Sequence, residues 1–262
     1  MKNSAKKWAV VTGASQGIGA HMAENLAKRG YSLIVTARNS ALLEKLKVDL
    51  EKKYSIHVKC FQADLCLAEG VQSLITFCQP FFSEIEVLIN NAGFGEVKAL
   101  TDQKWATCAE MINLNITSLT QLTHAFAEAF KQKKSGSILN VASTAAFQPD
   151  PYFAIYGASK SFVLHFSEAI REELQAFNVQ VSVLCPGMTE TGFHDRAGSR
   201  GIKAAQFTML SVGKVAKIGI DGLLAGKTVI IPGVLNRAIV QSLRLAPRAL
   251  VAKLSKSLMT EQ

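Results

Sequence analysis

A tyrosine and a lysine one helical turn apart are the residues with the clearest capacity for chemistry. Tyr156 and Lys160 stand at i and i+4 in a stretch of helical periodicity, which places both side chains on one face. A nearby ammonium favours the phenolate and lowers a phenol pKa that is ordinarily about 10. The pair is therefore predicted to donate and accept a proton, with Ser143 able to hydrogen-bond the same substrate oxygen. Such a Tyr-Lys pair also occurs by chance on helices, so a catalytic role depends on the other motifs in the sequence.

A glycine-rich turn near the start of the chain could bind the pyrophosphate of a nucleotide. An apolar run at 8–11 stops at a turn containing Gly13, Gly17 and Gly19, and helical spacing follows. Glycine allows the backbone to bend sharply and approach a ligand, while the helix start presents N–H groups to an anion. An ordinary strand-to-helix turn is the alternative interpretation.

Polar residues also follow the next predicted strands. Arg38, preceded by Ala37 instead of an acidic residue, fits the 2′-phosphate of NADP, although a solvated surface arginine would look the same. Asp64 could accept from an adenine amino group or cap a helix. The segment Asn90-Asn91-Ala92-Gly93 offers two amides that can brace neighbouring strands and line the cleft, followed by small residues that admit a flat ligand; as a turn it would be equally ordinary.

The segments that must position these residues alternate between strand and helix. Short apolar runs predict strands at 8–11, 32–37, 57–62, 87–90, 136–142, 179–184 and 228–231. Apolar residues at helical spacing predict a helix from 18 onward and others over 41–54, 71–82, 102–130 and 156–177. Right-handed crossovers then build a parallel sheet covered by helices on both faces, an α/β architecture. Its ligands bind beyond the carboxyl ends of the strands, where the candidate residues lie.

Composition predicts one globular domain. The 262 residues are 48% hydrophobic and 19% charged, which excludes a disordered or fibrous chain. No apolar run reaches the roughly 18 residues that a membrane-spanning helix needs, and the N-terminal lysines precede too short an apolar run for a secretory signal. We therefore expect a cytoplasmic protein. Five cysteines without metal-ligand spacing predict reduced, buried thiols and no metal site.

The motifs, taken together, resemble those of classical short-chain dehydrogenases/reductases. The matching residues lie in the family's order and spacing over most of the chain, and are Thr12-Gly13-Ala14-Ser15-Gln16-Gly17-Ile18-Gly19, Asn90-Asn91-Ala92-Gly93, Asn115, Ser143, Tyr156, Lys160, Pro186-Gly187 and Thr189. The resemblance implies a single-domain Rossmann fold, a doubly wound seven-stranded parallel sheet of order 3-2-1-4-5-6-7. It also implies Ser143, Tyr156 and Lys160 as catalytic residues, with Asn115 bending its helix to hold a water in a proton relay.

We expect NADP(H) to be preferred over NAD(H). Arg38 supports this preference, whereas Gln16 stands where many NADP-preferring relatives carry a second basic residue. The residues predicted to bind the cofactor are Gly13, Ser15, Gln16, Gly17, Ile18, Gly19, Arg38, Asp64, Leu65, Asn91, Ala92, Gly93, Tyr156, Lys160, Pro186, Gly187 and Thr189. The family commonly forms homodimers and homotetramers, so we expect a homo-oligomer.

These predictions describe an NADPH-dependent reductase of a ketone or aldehyde. The expected substrate wall consists of Phe94, Ala145, Phe147, Gln148, Met188 and Phe193, with a loop at about 188–210 as a lid. Because that wall is mostly apolar, it favours a lipophilic carbonyl. Two alternatives stay open. A non-catalytic NADP(H) sensor would not need the proton donor, and a sugar-nucleotide epimerase or dehydratase would resemble a longer form of the fold.

The last part of the chain is basic and amphipathic. We assign 1–236 to the Rossmann domain and 237–262 to a C-terminal extension of it. Between 237 and 260 five basic residues and no acidic one contribute over half of the net charge of +9, and Pro247 divides two short predicted helices. This extension could lie on an anionic membrane, bind an acidic acyl carrier, or pack against its own domain or a second subunit. Aromatic residues are not interleaved with the basic ones, so nucleic-acid binding is not expected.

Overall fold

Strands and helices alternate along the protein, whose computed structural model describes residues 7–190, 197 and 209–259. The strands are β1 (Trp8–Thr12), β2 (Ser32–Ala37), β3 (Val58–Gln62), β4 (Ile85–Asn90), β5 (Gly136–Val141), β6 (Val179–Leu184) and β7 (Val229–Ile230). The helices are α1 (Gly17–Ala27), α2 (Ser40–Tyr54), α3 (Ala68–Cys78), α4 (Trp105–Ile112), α5 (Leu119–Lys133), α6 (Ala154–Leu174), α7 (Val212–Leu224), α8 (Val234–Ser242) and α9 (Arg248–Met259).

These strands form one parallel sheet in the order β3-β2-β1-β4-β5-β6-β7. Val10 in β1 lies opposite Ile34 in β2 on one side and opposite Leu88 in β4 on the other. The chain direction across the sheet reverses at β1, so a crevice opens beyond the carboxyl ends of β1 and β4. The predicted Rossmann fold and its strand order are confirmed.

The sheet separates two apolar layers, because successive side chains of a strand point to opposite faces. Ala9 and Val11 pack in the layer that contains α1, α2 and α7. Trp8 and Val10 pack in the opposite layer, with α3 and α5. Strands buried on both faces read as continuous apolar runs, which is why the sequence predicts them well. This double cover holds the carboxyl edge of the sheet in place.

The long helix predicted over 102–130 is interrupted. A short 3₁₀ turn at Leu100–Asp102 precedes α4, and a π-helical turn at Asn113–Ser118 separates α4 from α5. A π turn holds one extra residue against the regular ladder and commonly marks a functional site. The sequence resemblance implies such a bend at Asn115, and this residue lies inside the π turn.

The C-terminal region continues directly from the sheet. Helix α8 begins at Val234, so it crosses the boundary drawn between 236 and 237, and a 3₁₀ turn at Leu243–Leu245 and Pro247 separate it from α9. No helix in the described part of the chain combines the length and the apolar character needed to span a bilayer.

Candidate active site

The glycine turn joins β1 to α1 in a conformation that only small residues allow. Gly13 and Gly17 have φ of 64° and 60°, a left-handed region that side chains disfavour. A Cβ at Gly19 would lie 2.3 Å from the Gly13 carbonyl oxygen, so helix and turn are in direct backbone contact. The first turn of α1 has N–H groups without intrahelical partners, and it borders the cleft beyond the sheet. The turn is thus shaped to receive an anionic group.

Asn91 fixes this turn to the end of β4. Its Nδ2 donates to the carbonyl oxygens of Thr12, at 2.9 Å, and Gly13, at 3.2 Å. In return, the Thr12 hydroxyl accepts from the backbone N–H groups of Asn91 and Ala92. The predicted bracing role of the amide is thus seen in its contacts. The Thr12 hydroxyl thus completes the connection between β1 and the end of β4, a role that the strand pattern alone does not indicate.

Asn115 lies behind the cleft wall and is fully buried. Its Nδ2 donates to the Phe94 carbonyl at 2.9 Å and to the Ser159 hydroxyl at 3.0 Å, and its Oδ1 accepts from the Phe94 N–H at 3.2 Å. A Cβ at Gly93 would lie 3.0 Å from Asn115 Oδ1 and 3.2 Å from Lys160 Nζ. The side chain of Asn115 therefore positions the 93–94 backbone beside Lys160.

Tyr156, Lys160 and Ser143 come together at the centre of the cleft. Tyr156 and Lys160 lie one turn apart on α6, and Lys160 Nζ is 5.6 Å from the centre of the phenol ring. Lys160 Nζ also donates to the Val141 carbonyl at 2.9 Å, at the end of β5. Ser143, two residues after that strand, hydrogen-bonds with the Tyr156 phenol. Two segments, α6 and the turn after β5, thus present a phenol, an ammonium and a hydroxyl together.

Burial shifts both titrating groups away from charge. The pKa of Tyr156 rises to about 12 because burial penalises the phenolate, while the Ser143 hydrogen bond acts in the opposite direction. Burial also lowers the pKa of Lys160 to about 8. The sequence-based expectation that the ammonium dominates and lowers the phenol pKa is therefore wrong for this structure. The phenol stays protonated at neutral pH, as a proton donor must.

The other end of the cleft carries the residues predicted to bind an adenosine. Arg38 is exposed at the cleft edge, directly after β2, and its neighbour at position 37 is the small Ala37. Asp64 Oδ1 accepts from the Cys66 N–H at 2.9 Å, so the carboxylate does stabilise its own turn before α3. The same residue borders the cleft beside Leu65.

Most predicted residues line one continuous cleft of about 610 Å³. Those that line it are Gly13, Ser15, Gln16, Gly17, Ile18, Arg38, Asp64, Leu65, Asn91, Ala92, Gly93, Phe94, Ser143, Ala145, Gln148, Tyr156, Lys160, Pro186, Gly187, Met188 and Thr189. Gly19 and Asn115 support the wall from behind. Phe147 does not reach the cleft, because the 3₁₀ turn at Thr144–Phe147 directs it into the apolar cluster around Val163. Phe193 and most of the predicted lid lie outside the described residues.

The structure adds residues to the substrate end that the motifs did not indicate. Asp150, Phe153, Asn236, Ile239 and Leu243 also line the cleft. Asp150 Oδ1 accepts from Gln148 Nε2 at 2.9 Å and from Ser255 Oγ at 3.0 Å, and burial raises the pKa of this carboxyl. Asp150 and Phe153 come from the segment just before α6, whereas Asn236, Ile239 and Leu243 come from α8 and the 3₁₀ turn after it. None of the five lies in a motif that sequence reasoning singled out.

The cleft fits a dinucleotide. It combines a glycine turn whose space a Cβ would fill, the start of α1, whose N–H groups can bind an anion, and the exposed guanidinium of Arg38 at its edge. Among the described residues, no group of three His, Cys, Asp or Glu could hold a metal ion. The arrangement can therefore bind a nicotinamide cofactor and pass a proton beside it.

The sequence and the structure are similar to known oxidoreductases. The family model described as short chain dehydrogenase matches residues 7–200. A very-long-chain 3-oxoacyl-CoA reductase of Laccaria bicolor is 33% identical over 187 residues, which are 70% of this chain and 55% of that protein. Sulfoacetaldehyde reductase 2 of Chromohalobacter salexigens is 35% identical over 70% of this chain and 73% of its own. The chain thus spans little more than half the length of the first relative.

Similarity over almost the whole fold comes from a solved structure. A short-chain dehydrogenase from Sphingobium yanoikuyae in complex with NADPH superposes with a TM-score of 0.84 at 32% identity. The superposition covers 93% of this chain and 94% of that one, so it extends past the end of the family match at residue 200.

Proposed function

The chain belongs to the short-chain dehydrogenase family, and from this premise we propose that it reduces a lipophilic ketone or aldehyde to an alcohol with NADPH. The observation that carries this proposal is the convergence of Ser143, Tyr156 and Lys160 in a cleft that begins at the glycine turn. When bound there, NADPH supplies a hydride to the carbonyl carbon. Proton donation and the orientation of the carbonyl oxygen are assigned to side chains of the protein.

Tyr156 is the proposed proton donor. Its Oη gives a proton to the carbonyl oxygen as negative charge develops there, and the Ser143 hydroxyl orients the same oxygen. Because burial raises the pKa of Tyr156 to about 12, the phenol is in its acidic form at neutral pH. The phenol can therefore donate its proton in the reduction, whereas the reverse reaction would need the phenolate.

Lys160 and Asn115 act around the donor. Lys160 is proposed to hold the ribose hydroxyls of the nicotinamide half and to replace the proton that Tyr156 gives up. Asn115 does not line the cleft, so we assign it a positioning role through Phe94 and the 93–94 backbone. The relay water inferred from the family resemblance stays a proposal.

A preference for NADP over NAD is proposed from the far edge of the cleft. Arg38 can place its guanidinium on a 2′-phosphate, and Ala37 leaves no carboxylate there to repel it. Gln16 lines the same end with an uncharged side chain, so Arg38 is the main charged determinant that we propose.

The proposed substrate is uncharged and apolar around its carbonyl. Phe94, Ala145, Phe153 and Ile239 supply apolar surface at the substrate end, where a charged group would lose its hydration without a compensating partner. Of the two relatives, the one named for very long acyl chains is nearer to this chemistry than the one named for sulfoacetaldehyde.

A homodimer or homotetramer is proposed for the active form. Trp105 at the start of α4 is 76% exposed, and Phe162 on α6 is partly exposed while stacked on Phe166 at 5.5 Å. Such exposed aromatic surface is typical of an interface between copies. Light scattering of the full chain tests this, and a Trp105→Glu variant should shift the mass toward the monomer; an unchanged mass would contradict it.

The function is tested by following the loss of NADPH absorbance against carbonyl compounds graded by size and charge. Straight-chain aldehydes, cyclic ketones and a sulfonated aldehyde form the panel, each assayed with NADPH and with NADH. We expect kcat/KM to rise with apolar size, to be highest with NADPH and to be lowest for the sulfonated compound. Tight NADPH binding without turnover of any compound would instead support the sensor alternative.

A further inference from the structure

The C-terminal helices α8 and α9 have one side that is packed against the protein. Asn236 and Val240 of α8 and Val251 and Ser255 of α9 are buried. Ser255 Oγ donates to Asp150 Oδ1 at 3.0 Å, which ties α9 to the substrate end of the cleft across 105 residues of sequence. This packing accounts for the inward-facing apolar residues of the region.

Their other side presents large aliphatic side chains to solvent. Val234 is 82% exposed and Leu245 is 90% exposed, while the remaining four are between 42% and 54% exposed: Leu235, Ile239, Leu250 and Leu254. Isolated exposed leucines are ordinary, but six in one short region form an apolar surface of the kind that binds a partner. Packing within the domain does not explain this side.

The same side is uniformly basic. No acidic residue occurs between 222 and 260, and the exposed side chains alternate with Arg237, Arg244, Arg248, Lys253 and Lys256. No carboxylate in the described ranges forms a salt bridge with Arg244, Arg248 or Lys253. Exposed leucines interleaved with cations such as Arg244, Arg248 and Lys253 are the pattern of a helix that lies in the interface of an anionic bilayer.

This C-terminal surface, formed by the six aliphatic and five basic residues, borders the cleft. Ile239 and Leu243 of the α8 region line the cleft, and Ile239 is 42% exposed on the same helix as Val234 and Leu235. Apolar surface therefore continues from the outside of the molecule into the substrate end. An apolar molecule held at this surface would therefore meet apolar side chains at the cleft as well.

We propose that the C-terminal surface binds an anionic membrane and that the substrate enters the cleft from the lipid; the second part rests on the proposed reductase function. A membrane accounts for both the cations and the leucines. An acidic carrier protein would account for the cations but leave Leu245 unexplained. A second copy joined through the same surface would bring like charges together.

The surface is tested by sedimentation of the full chain with vesicles of phosphatidylcholine alone or mixed equally with phosphatidylglycerol. We expect binding to the anionic vesicles only, weakened by salt. Each cation near the surface contributes about a factor of five, so Arg244→Gln with Lys253→Gln should lower the partition coefficient about 25-fold. Leu245→Ser with Leu254→Ser should lower it at least about tenfold.

A matched control comes from α2, on another part of the molecule. Lys45 and Lys52 are exposed there and Val48 is 60% exposed, so Lys45→Gln with Lys52→Gln, and Val48→Ser, remove the same kinds of group. These variants should sediment with anionic vesicles like the parent. Equal losses in both regions would overturn the proposal, because charge anywhere on the surface would then suffice.

Three further results would overturn it. The first is equal binding to neutral and anionic vesicles, and the second is retention on an immobilised acidic acyl carrier protein without binding to vesicles. The third is light scattering in which Leu245→Ser with Leu254→Ser dissociates an oligomer. Sedimentation needs no catalysis, and a water-soluble ketone measures the reductase separately. Faster turnover of a bilayer-embedded ketone on anionic vesicles would support substrate entry from the lipid; an unchanged rate would refute that part.

Discussion

The two ends of the cleft are built in different ways. At the cofactor end, the surface is formed mainly by backbone atoms. The Gly13 turn and the start of α1 are in direct backbone contact, and the side chains of Thr12 and Asn91 hydrogen-bond to backbone groups beside them. At the substrate end, side chains from separate segments meet, and the Asp150–Ser255 hydrogen bond joins residues 105 positions apart. The first end is specified by local backbone geometry, and the second by tertiary packing.

This difference matters because the two ends can change independently. A backbone cradle tolerates few substitutions, since a Cβ at Gly19 or Gly93 would meet neighbouring atoms. A wall of side chains such as Phe153 and Ile239 can be altered one residue at a time. Cofactor binding and substrate choice are therefore expected to respond to different mutations, which the following predictions test.

The largest effect is expected where the two ends meet, at Tyr156, the proposed proton donor. Tyr156→Phe removes the phenol proton and leaves the ring, so kcat should fall by about 10²- to 10⁴-fold while the NADPH Kd stays nearly constant. Absorbance assays give kcat and cofactor fluorescence gives Kd. Tyr152→Phe is the control, because Tyr152 does not line the cleft. Unchanged turnover in Tyr156→Phe would remove the proposed mechanism.

The next largest effect is expected at the far edge of the cofactor end. Arg38→Ala removes the proposed contact with the 2′-phosphate, and a hydrogen bond to a charged group contributes about 1.5–3 kcal/mol. The KM for NADPH should thus rise about tenfold to a hundredfold. The KM for NADH, which lacks the phosphate, serves as the internal control and should stay constant. Equal changes for both cofactors would show that Arg38 is only a surface residue.

The backbone character of the cofactor end is tested by two helical glycines. Gly19→Ala would place a Cβ 2.3 Å from the Gly13 oxygen, so the turn must shift and the NADPH Kd should rise at least about tenfold. Gly213→Ala in α7 has no neighbour closer than 3.6 Å and should stabilise the protein by up to about 1 kcal/mol. Calorimetry measures the stability of each variant, and cofactor titration measures its NADPH Kd. Equal NADPH affinity in the two variants would contradict the close contact.

The sequence predicts the cofactor end and the sheet well for the same physical reason. Buried parallel strands are short apolar runs, so 32–37 and 179–184 coincide with β2 and β6. The order of the strands and the residues after them then follow from family motifs and crossover rules. The π turn at Asn113–Ser118 is not visible as a break in apolar periodicity, which is why one long helix is predicted there.

The substrate end is predicted less completely because it depends on packing. Phe147 is close in sequence to Ser143, yet a 3₁₀ turn rotates it into the core. Asn236 lines the cleft because α8 packs beside it, and Asp150 is buried there with Ser255 of α9 as a partner; neither residue lies in a motif. The sequence predicts a lowered Tyr156 pKa, whereas burial raises it, for a related reason. The i, i+4 spacing shows the nearby ammonium but not the extent of burial.

A pH profile tests Lys160, which lies between the cofactor end and the substrate end of the cleft. Since burial lowers the pKa of Lys160 to about 8, its positive charge is present below that pH and is lost above it. Tyr156, with a pKa of about 12, stays protonated throughout. With saturating NADPH, the reduction rate should be level below pH 8 and then fall, approaching about tenfold per pH unit. A rate that stays constant up to pH 10 would mean that the Lys160 charge is not needed.

The smallest effect is expected from the contact that defines the substrate end. Ser255→Ala removes one hydrogen bond to the buried Asp150 carboxyl group, a loss of about 1 kcal/mol that should raise the KM for a lipophilic ketone about fivefold. The NADPH Kd should not change, because none of the atoms that hold the glycine turn is involved. Ser242→Ala, whose exposed hydroxyl bonds only within its own helix, is the control. If NADPH affinity and KM weakened together, the two ends would be one coupled unit, and the independence inferred from their construction would be wrong.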